Sequence, residues 1–133
     1  MKQALCLQIK TVWEGDETVT RFRPESFHTS VPGFTYGGLI ASLIDCHSTG
    51  TAAAAMYRQE ERDMDSLPTF RFVTGSLHVD FLKPTPLGPV LELRGRVKEL
   101  KGKLYDSTPA QNRPKIEKLL EMYKDKSNMN FTV

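Results

Sequence analysis

The chain has 133 residues, of which 39% are hydrophobic and 26% charged, and its formal net charge at pH 7 is +2. This length predicts one domain, in the size range where oligomerisation often helps to complete the core. The dispersed basic residues give little support to nucleic-acid binding. The longest apolar run is interrupted by Asp45, His47 and Gly50 and is too polar to cross a bilayer. We therefore expect a soluble protein with neither a nucleic-acid nor a membrane partner.

The two cysteines, Cys6 and Cys46, form neither a CxxC pair nor a disulfide framework. Cys46 lies in a predicted buried helix, where we expect its thiol to behave as a small hydrophobe. This cysteine usage, together with a start unlike a secretory signal, favours the reducing cytoplasm. We expect no metal site, because the three histidines lack metal-ligand spacing; they are His28, His47 and His78.

The first half of the chain predicts a hairpin followed by a long helix. Apolar and polar residues alternate over residues 5–10, which is the period of a half-buried strand. Residues 14–16 then supply turn chemistry before a second strand at 18–23. Glycines and prolines mark an irregular connection before the helix, which runs from about Gly38 to about Arg62 and is the longest predicted element.

The second half predicts two long strands and then a change of character. Residues 70–82 are rich in β-formers and two-faced, which predicts a central strand, and the proline-rich residues 83–89 must form a turn. Residues 91–98 alternate again and predict a strand with a charged face. In the last segment, apolar residues at helical spacing predict a short amphipathic helix that packs on a sheet edge or a neighbouring chain; they are Ile116, Leu119, Leu120 and Tyr123.

This order of elements lacks the βαβ rhythm of a parallel sheet. We therefore predict an α+β fold in which an antiparallel sheet wraps around one long central helix. Residues 1–106 are predicted to form this domain, and residues 107–133 a divergent tail with an atypical helical segment.

The predicted helix carries one acid, Asp45, among apolar and small side chains. At about 100° per residue, one broad side is apolar, and Asp45 shares the other side with small residues: Gly38, Ala41, Ser42, Ser48, Thr49 and Ala52. Small side chains let a ligand or a backbone approach closely, whereas a solvated face normally carries Lys, Glu and Arg. Asp45 is therefore a candidate for chemistry, although bonding to neighbouring Ser or Thr, or simple exposure, explains the pattern equally well.

Two further features favour a plain structural interpretation. Asp45, Cys46 and His47 are consecutive, so their side chains point about 100° apart and cannot face one another as a catalytic cluster. We expect His47 to pack toward the sheet with its ring nitrogens bonded locally, and residues 61–65, "ERDMD", to be a solvated helix end.

Two separated stretches, "GFTYGGLIASLID" and "TGSLHVDFLKPTPLG", resemble the PaaI-like group of hotdog-fold acyl-CoA thioesterases in order and spacing. The similarity covers roughly residues 4–103. It implies the hotdog fold and a homodimer with active sites at its interface, and it leaves open whether dimers pair into tetramers. It also implies an acyl-CoA substrate and no separate cofactor, since coenzyme A enters as part of the substrate.

The resemblance assigns roles residue by residue. Asp45 matches the helix carboxylate that acts as general base toward water or as nucleophile on the thioester carbonyl. Gly37 matches the residue whose N–H polarises that carbonyl, and a helix N-terminus independently favours a developing oxyanion. Thr74 matches a Ser or Thr that positions the water or the carboxylate, although a β-former satisfied within the sheet fits equally. The expected substrate contacts are Tyr36, Gly38 and Ser42.

The chain departs from this family pattern at three places. Tyr36 stands where the family often has His, and it donates a hydrogen bond but cannot take up and release a proton near neutral pH as imidazole does. His28 and Ser30 lie where many relatives have Asn or His, and neither receives a role. After residue 103, where the family usually continues with further strands, the tail brings prolines and a helical pattern, which puts coenzyme A binding and turnover in question.

Three functions follow from these expectations. The first and favoured one is hydrolysis of an acyl-CoA, or a related acyl thioester, to a carboxylic acid and a free thiol by Asp45, Gly37 and Thr74. The second is a non-catalytic acyl-CoA-binding module. The third, favoured least, is a dehydratase or hydratase in which a loop His pairs with the helix acid.

Overall fold

The computed structural model describes residues 7–100, 118–124 and 129–132. Within these ranges the chain forms one α-helix, α1 (Gly37–Gln59), and nine β-strands. The strands are β1 (Val12–Glu14), β2 (Glu17–Phe22), β3 (Thr29–Val31), β4 (Phe34–Thr35), β5 (His78–Val79), β6 (Thr85–Pro86), β7 (Leu91–Leu100), β8 (Lys118–Lys124) and β9 (Met129–Thr132).

Six of these strands form one antiparallel sheet in the order β1-β2-β7-β8-β9-β5, and β3, β4 and β6 form a smaller sheet. The helix α1 packs against β7 and β8, the two middle strands of the larger sheet. The turn and the second strand of the predicted first hairpin are confirmed, since β1 and β2 pair with Val12 opposite Val19, and Gly15 turns between them with a φ of 65°. The predicted antiparallel sheet around one long helix is confirmed as well.

The packing of α1 follows its sequence pattern. The side predicted to be apolar is buried against the sheet and forms the main core with β7. Burying each large aliphatic side chain contributes about 2 kcal/mol. Members of this core are Leu39, Ile40, Leu43, Ile44, Leu91 and Leu93. The opposite side of α1 is open near its start, where Gly38 and Ser42 are exposed and Asp45 is partly buried.

His47 is fully buried between α1 and the strands β2 and β7. Its Nδ1 lies 2.8 Å from the Thr20 hydroxyl, and its Nε2 lies 3.4 Å from the hydroxyl of Thr18, which itself donates to the Gly95 carbonyl. Both ring nitrogens therefore lie within hydrogen-bond reach of threonine hydroxyls. The predicted local bonding of His47 is therefore confirmed. We call this group the His47 network: His47, Thr11, Thr18, Thr20 and Thr51.

The predicted long central strand at 70–82 is wrong for most of its length. The structure assigns only His78–Val79 to a strand, β5, which lies at the edge of the larger sheet and pairs with β9. A period-2 pattern predicts extended backbone, but a strand also needs a neighbour for its N–H and C=O groups. Within the described residues, 70–77 have no such neighbour, and Val73 is 90% exposed.

Two smaller predictions for strands also need correction. Leu7 and Gln8 have positive φ angles of 22° and 48°, so the first strand begins at Val12 rather than in the predicted range 5–10, of which residues 5 and 6 lie outside the described ranges. The predicted turn at 83–89 contains the two-residue strand β6, which pairs with β4. Its Pro86 is tolerated because β6 lies at the edge of the small sheet.

The predicted amphipathic helix of the tail is wrong over residues 118–124, which form β8. This strand pairs with β7, with Leu120 opposite Val97 and Met122 opposite Gly95. A segment this short can fit the helical period and the two-residue period of a strand at the same time. Pairing with β7 also provides hydrogen-bond partners for N–H and C=O groups of β7 that a helix would leave unpaired. The tail thus extends the sheet as β8 and β9, while Ile116 and the boundary at residue 106 lie outside the described residues.

Cys46 packs in the main core, as predicted for a small hydrophobe, but its sulfur is disulfide-bonded rather than a free thiol. The cysteines therefore give no support to a reducing compartment, and a cytoplasmic location stays a prediction. Among the described residues, no helix has both the length and the apolar character that crossing a membrane requires.

We predict that Gly95→Ala destabilises the fold by about 2 kcal/mol, because overpacking a filled core costs roughly this much. A Cβ at Gly95 would lie 2.9 Å from Thr18 Oγ1, 3.0 Å from His47 Nε2 and 3.0 Å from Thr51 Oγ1. Urea unfolding measures the change. The control is Gly75→Ala, where the added Cβ would meet nothing within 4 Å. Equal stability of the two variants would contradict tight packing around Gly95.

We also predict that His47 makes stability depend on pH. Burial lowers the pKa of His47 from 6.5 to about 4 in the folded chain. Between these values the unfolded chain binds a proton that the folded chain does not, so stability is complete above pH 6.5 and falls as the pH decreases toward 4. The expected loss between pH 7 and pH 5 is about 2 kcal/mol.

Urea unfolding at both pH values measures this loss, and comparison with His47→Gln isolates the contribution of the buried ring. The exposed His78 provides the matched control, since His78→Gln leaves the buried ring in place. A His47→Gln variant with the same pH slope as the parent would show that another group causes the dependence.

Candidate active site

Asp45 lies on the open side of α1 and is partly buried. Neighbouring hydroxyl groups donate to carbonyls one turn earlier in the helix, as Ser42 does to Gly38 at 2.8 Å and Ser48 does to Ile44 at 2.6 Å. Such bonds satisfy small polar side chains within a helix. The hydroxyls of Ser42, Ser48 and Thr49 on α1 thus donate to backbone carbonyls.

The partner of the Asp45 carboxylate comes from a distant part of the chain. Thr74 Oγ1 donates a hydrogen bond to Asp45 Oδ1, although 29 residues separate the two. A carboxylate accepts through both oxygens, so a donor held on Oδ1 fixes the orientation of the group and directs Oδ2 toward a further partner. The structure thus brings together two of the three residues that the sequence predicted to be catalytic.

The start of α1 has no side-chain cap. Tyr36 occupies the N-cap position without a capping hydrogen bond from its side chain, and the first turn contains no acidic residue. The first N–H groups of a helix have no partner within the helix, and they lie at the positive end of its dipole. Gly37, the first helical residue, therefore has its N–H at an end of the helix where an anionic oxygen is favoured, and its role as oxyanion donor stays a prediction.

Two aromatic rings lie against the glycine pair at this helix start. A Cβ on Gly37 would lie 3.3 Å from the Phe81 ring, and a Cβ on Gly38 would lie 2.9 Å from the Tyr36 ring. Both glycines therefore make room for the chain's own side chains as well as for a ligand. Phe81 is 52% exposed and forms an apolar rim beside Gly37. Sequence reasoning placed it on a strand face and missed this contact, which only the tertiary structure creates.

Gly37 and Asp45 are eight residues apart on one helix, which corresponds to about 12 Å along its axis. A base and an oxyanion donor that act on the same carbonyl each lie about 3 Å from the reacting atoms. The distance between Gly37 and Asp45 within one chain is therefore too large for both residues to contact the same carbonyl group. The structure places Asp45 beside Thr74 but not beside Gly37 of the same chain.

The three predicted substrate contacts surround the helix start. Gly38 and Ser42 are exposed, and Tyr36 is 37% exposed. The Ser42 hydroxyl already donates to the Gly38 carbonyl, so a contact with substrate would replace that bond. These three assignments stay predictions.

Of the two loop residues without an assigned role, His28 lies beside the start of α1, where its carbonyl accepts the Tyr36 N–H at 3.2 Å. His28 accepts a hydrogen bond at Nδ1 from the Glu25 N–H at 2.8 Å, and its ring lies 4.4 Å from the Phe27 ring between centroids. Ser30 is exposed on β3. A loop His paired with the helix acid, as a dehydratase would need, stays a prediction. In the described ranges, no three His, Cys, Asp or Glu side chains cluster closely enough to hold a metal ion, and the absence of a metal stays a prediction.

The prediction of a solvated helix end at 61–65 is wrong for Arg62. Its side chain is only 21% exposed, and it donates to the carbonyls of Ser66 and Pro68 in the loop that follows α1. Sequence reasoning missed this contact because Arg62 sits among charged residues, a composition typical of a solvated surface.

A family model described as "Thioesterase superfamily" matches residues 32–105, which is more than half of the chain. The chain belongs to this superfamily. The matched range includes Gly37, Asp45 and Thr74, so all three predicted catalytic residues fall in the part of the chain that this family defines.

Two relatives extend the comparison. A solved structure of a thioesterase superfamily protein from Shewanella loihica PV-4 is 38% identical with a TM-score of 0.72, and the match covers 97% of this chain and 90% of that chain. The α+β architecture is therefore the hotdog fold. A curated relative, "Acyl-coenzyme A thioesterase THEM4" from Xenopus laevis, is 33% identical over 85 residues, or 64% of this chain. This chain covers only 32% of that relative's length.

Proposed function

We propose that this thioesterase superfamily member hydrolyses an acyl-CoA, or a related acyl thioester, to a carboxylic acid and a free thiol. The observation that carries the proposal is the hydrogen bond from Thr74 to Asp45, which orients the sole acid of α1 on its open side. The relative named as an acyl-coenzyme A thioesterase supports the substrate class. The uncapped start of α1 supports the same chemistry, because it offers N–H donors to a developing oxyanion.

In this reaction Asp45 acts through Oδ2 while Thr74 holds Oδ1. Either Oδ2 takes a proton from a water whose oxygen attacks the carbonyl carbon, or Oδ2 attacks that carbon itself and water opens the resulting anhydride. The Gly37 N–H stabilises the oxyanion. In the first route the carbon–sulfur bond then breaks, and the leaving thiolate takes the proton held by Asp45. In the second route the carbon–sulfur bond breaks as the anhydride forms, and the thiolate takes the proton released when water opens the anhydride. Both routes consume one water and release one carboxylic acid and one thiol.

The working unit in this proposal is a homodimer. Since Gly37 and Asp45 of one chain are about 12 Å apart, the carbonyl needs the Gly37 N–H of a second copy beside Asp45. Two copies of α1 packed antiparallel about a two-fold axis meet this requirement. Exposed apolar side chains beside the site support such an interface, with Val73 at 90% and Phe81 at 52% exposure. The open sheet edge at β5 supports it as well, and pairing of dimers into tetramers stays a prediction.

We predict that Asp45→Asn lowers turnover of an acyl-CoA at least about a hundredfold, because general-base catalysis typically contributes 10²- to 10⁴-fold. The amide keeps the shape of the carboxylate and accepts from Thr74 but lacks the basic oxygen, so substrate binding is expected to survive. Thr74→Ala should lower turnover less, since it removes a positioning contact and leaves the charge. Free-thiol release at saturating substrate measures both effects.

The matched control for this experiment is Asp63→Asn, the same substitution at an exposed position after the end of α1. It should hydrolyse substrate at the parental rate. An Asp45→Asn variant that is folded and as fast as the parent would refute the assigned role, and so would a Thr74→Ala variant that is slower than Asp45→Asn.

We predict further that the active chain sediments as a dimer. Val73→Lys should dissociate the dimer, since it places a charge in the proposed interface, and it should lower activity at low protein concentration. Sedimentation velocity and activity, measured over the same concentration series, follow both changes. Val90→Lys, at a 44% exposed position immediately before β7, is the control and should leave both unchanged. A stable monomer with full activity would contradict the shared site.

A further inference from the structure

The loop after α1 is held by Arg62 through three hydrogen bonds. The guanidinium donates to Ser66 Oγ at 3.2 Å, to the Ser66 carbonyl at 3.0 Å and to the Pro68 carbonyl at 2.6 Å. It also lies over the rings of Phe70, 4.7 Å from the centroid, and Tyr57, 5.3 Å from the centroid. A planar fork that bonds carbonyl groups and stacks on aromatic faces is specific to arginine.

Tyr57 connects this loop to the helix from the other side. Its ring is buried and packs edge-on against Phe70, with the centroids 4.8 Å apart. Its hydroxyl accepts the Phe70 N–H at 3.2 Å and donates to the Ser66 carbonyl at 3.4 Å. Phe70 is thereby fixed to the last turns of α1 through its ring and its backbone. We call Arg62 and Tyr57 the loop clamp.

The chain has little spare length between the loop clamp and the Asp45 hydrogen bond. From Tyr57 back to Asp45 the helix measures about 18 Å along its axis. The four residues from Phe70 to Thr74 span at most about 14 Å even when fully extended. The Tyr57 side chain, whose hydroxyl accepts the Phe70 N–H, spans the difference between these two lengths. A slip of one residue would move Thr74 by about 3.3 Å and break its hydrogen bond to Asp45.

Residues 70–77 have no strand partner within the described ranges. The described contacts at the two ends of the segment constrain its register. One end is β5, which pairs with β9. The other end is Phe70, where Phe72 and Met64 also pack on the cluster formed by Phe70 and Tyr57.

From these contacts we infer that Arg62 and Tyr57 are positioning residues of the active site: the loop clamp sets the register of residues 70–77 so that the Thr74 hydroxyl meets Asp45. The inference rests on the proposed function for its effect on rate, whereas its structural part concerns the Thr74–Asp45 contact alone. Neither clamp residue touches Asp45 or Thr74 in the hydrogen bonds described above, and the clamp acts through the chain that joins them.

The test is a double-mutant cycle between the clamp and Thr74. Arg62→Gln should lower kcat about tenfold with little change in KM, because a misplaced Thr74 leaves the carboxylate poorly oriented. In a Thr74→Ala background, the same substitution should lower kcat less than about twofold, since the contact is already absent. An Arg62→Gln variant with parental kcat would overturn the inference, and so would equal losses of kcat in the two backgrounds.

Arg58 provides a matched control. It is also an arginine near the end of α1, and it also stacks on an aromatic ring, 3.4 Å above the centroid of Trp13, and bonds a backbone carbonyl, that of Gly15. Its contacts hold the first hairpin instead of the Thr74 segment. Arg58→Gln should therefore leave kcat unchanged in the parental and the Thr74→Ala backgrounds, and a loss equal to that of Arg62→Gln would contradict a specific clamp.

A second readout does not depend on catalysis. The NMR shift of the Thr74 methyl group should move in Arg62→Gln and in Asp45→Asn, and it should stay in place in Arg58→Gln. If the parent hydrolyses no thioester, the proposed function fails, yet this shift still reports on the clamp. If the Thr74 methyl shift of Arg62→Gln is identical to that of the parent, the inference is wrong, whether or not the parent hydrolyses a thioester.

Tyr57→Phe replaces Arg62→Gln if that variant does not fold. It keeps the buried ring and removes only the hydroxyl that accepts the Phe70 N–H. It should lower kcat by a smaller factor, and this loss should also disappear in the Thr74→Ala background. A loss that persists there would contradict the inference.

Discussion

The rotation of α1 about its own axis is the constraint on which the site depends. His47 fixes this rotation, because its two ring nitrogens must meet the threonine hydroxyls of the His47 network once the ring is buried. Asp45 is two residues earlier, so its side chain points about 200° away from that of His47. Holding one residue against the sheet therefore turns the other toward the open side. Gly95 permits the arrangement because any larger residue would intrude on the network.

A second constraint comes from the chain that returns along α1 after the helix ends. Asp45 has its hydrogen-bond partner on a segment without strand pairing in the described residues, so that segment depends on anchors at its ends. The exposed apolar residues of the same segment lie beside the Asp45 site, and Gly37 of the same chain, the proposed oxyanion donor, is two helical turns away. These features agree with one another if the second half of each site belongs to a second copy.

The sequence was sufficient for the elements whose patterns are local. The helix, the first hairpin, β7 and the burial of His47 follow from periodicity and turn residues, and the resemblance singled out Asp45 and Thr74 as partners. The sequence was insufficient for the elements whose structure depends on tertiary contacts. Residues 118–124 fit a helix by spacing but form β8 because β7 offers a partner, and Arg62 has the composition of a solvated surface but holds a loop. The ring of Phe81 against Gly37 has no local signal at all.

The most direct test is free-thiol release by the unmodified chain from a panel of acyl-CoA esters at saturating concentration. We expect at least one ester to yield one thiol and one carboxylic acid per turnover, at a rate far above that of the uncatalysed reaction. Acyl-CoA esters that bind without release of thiol, or an enoyl-CoA that is hydrated while its thioester stays intact, would contradict hydrolysis at Asp45.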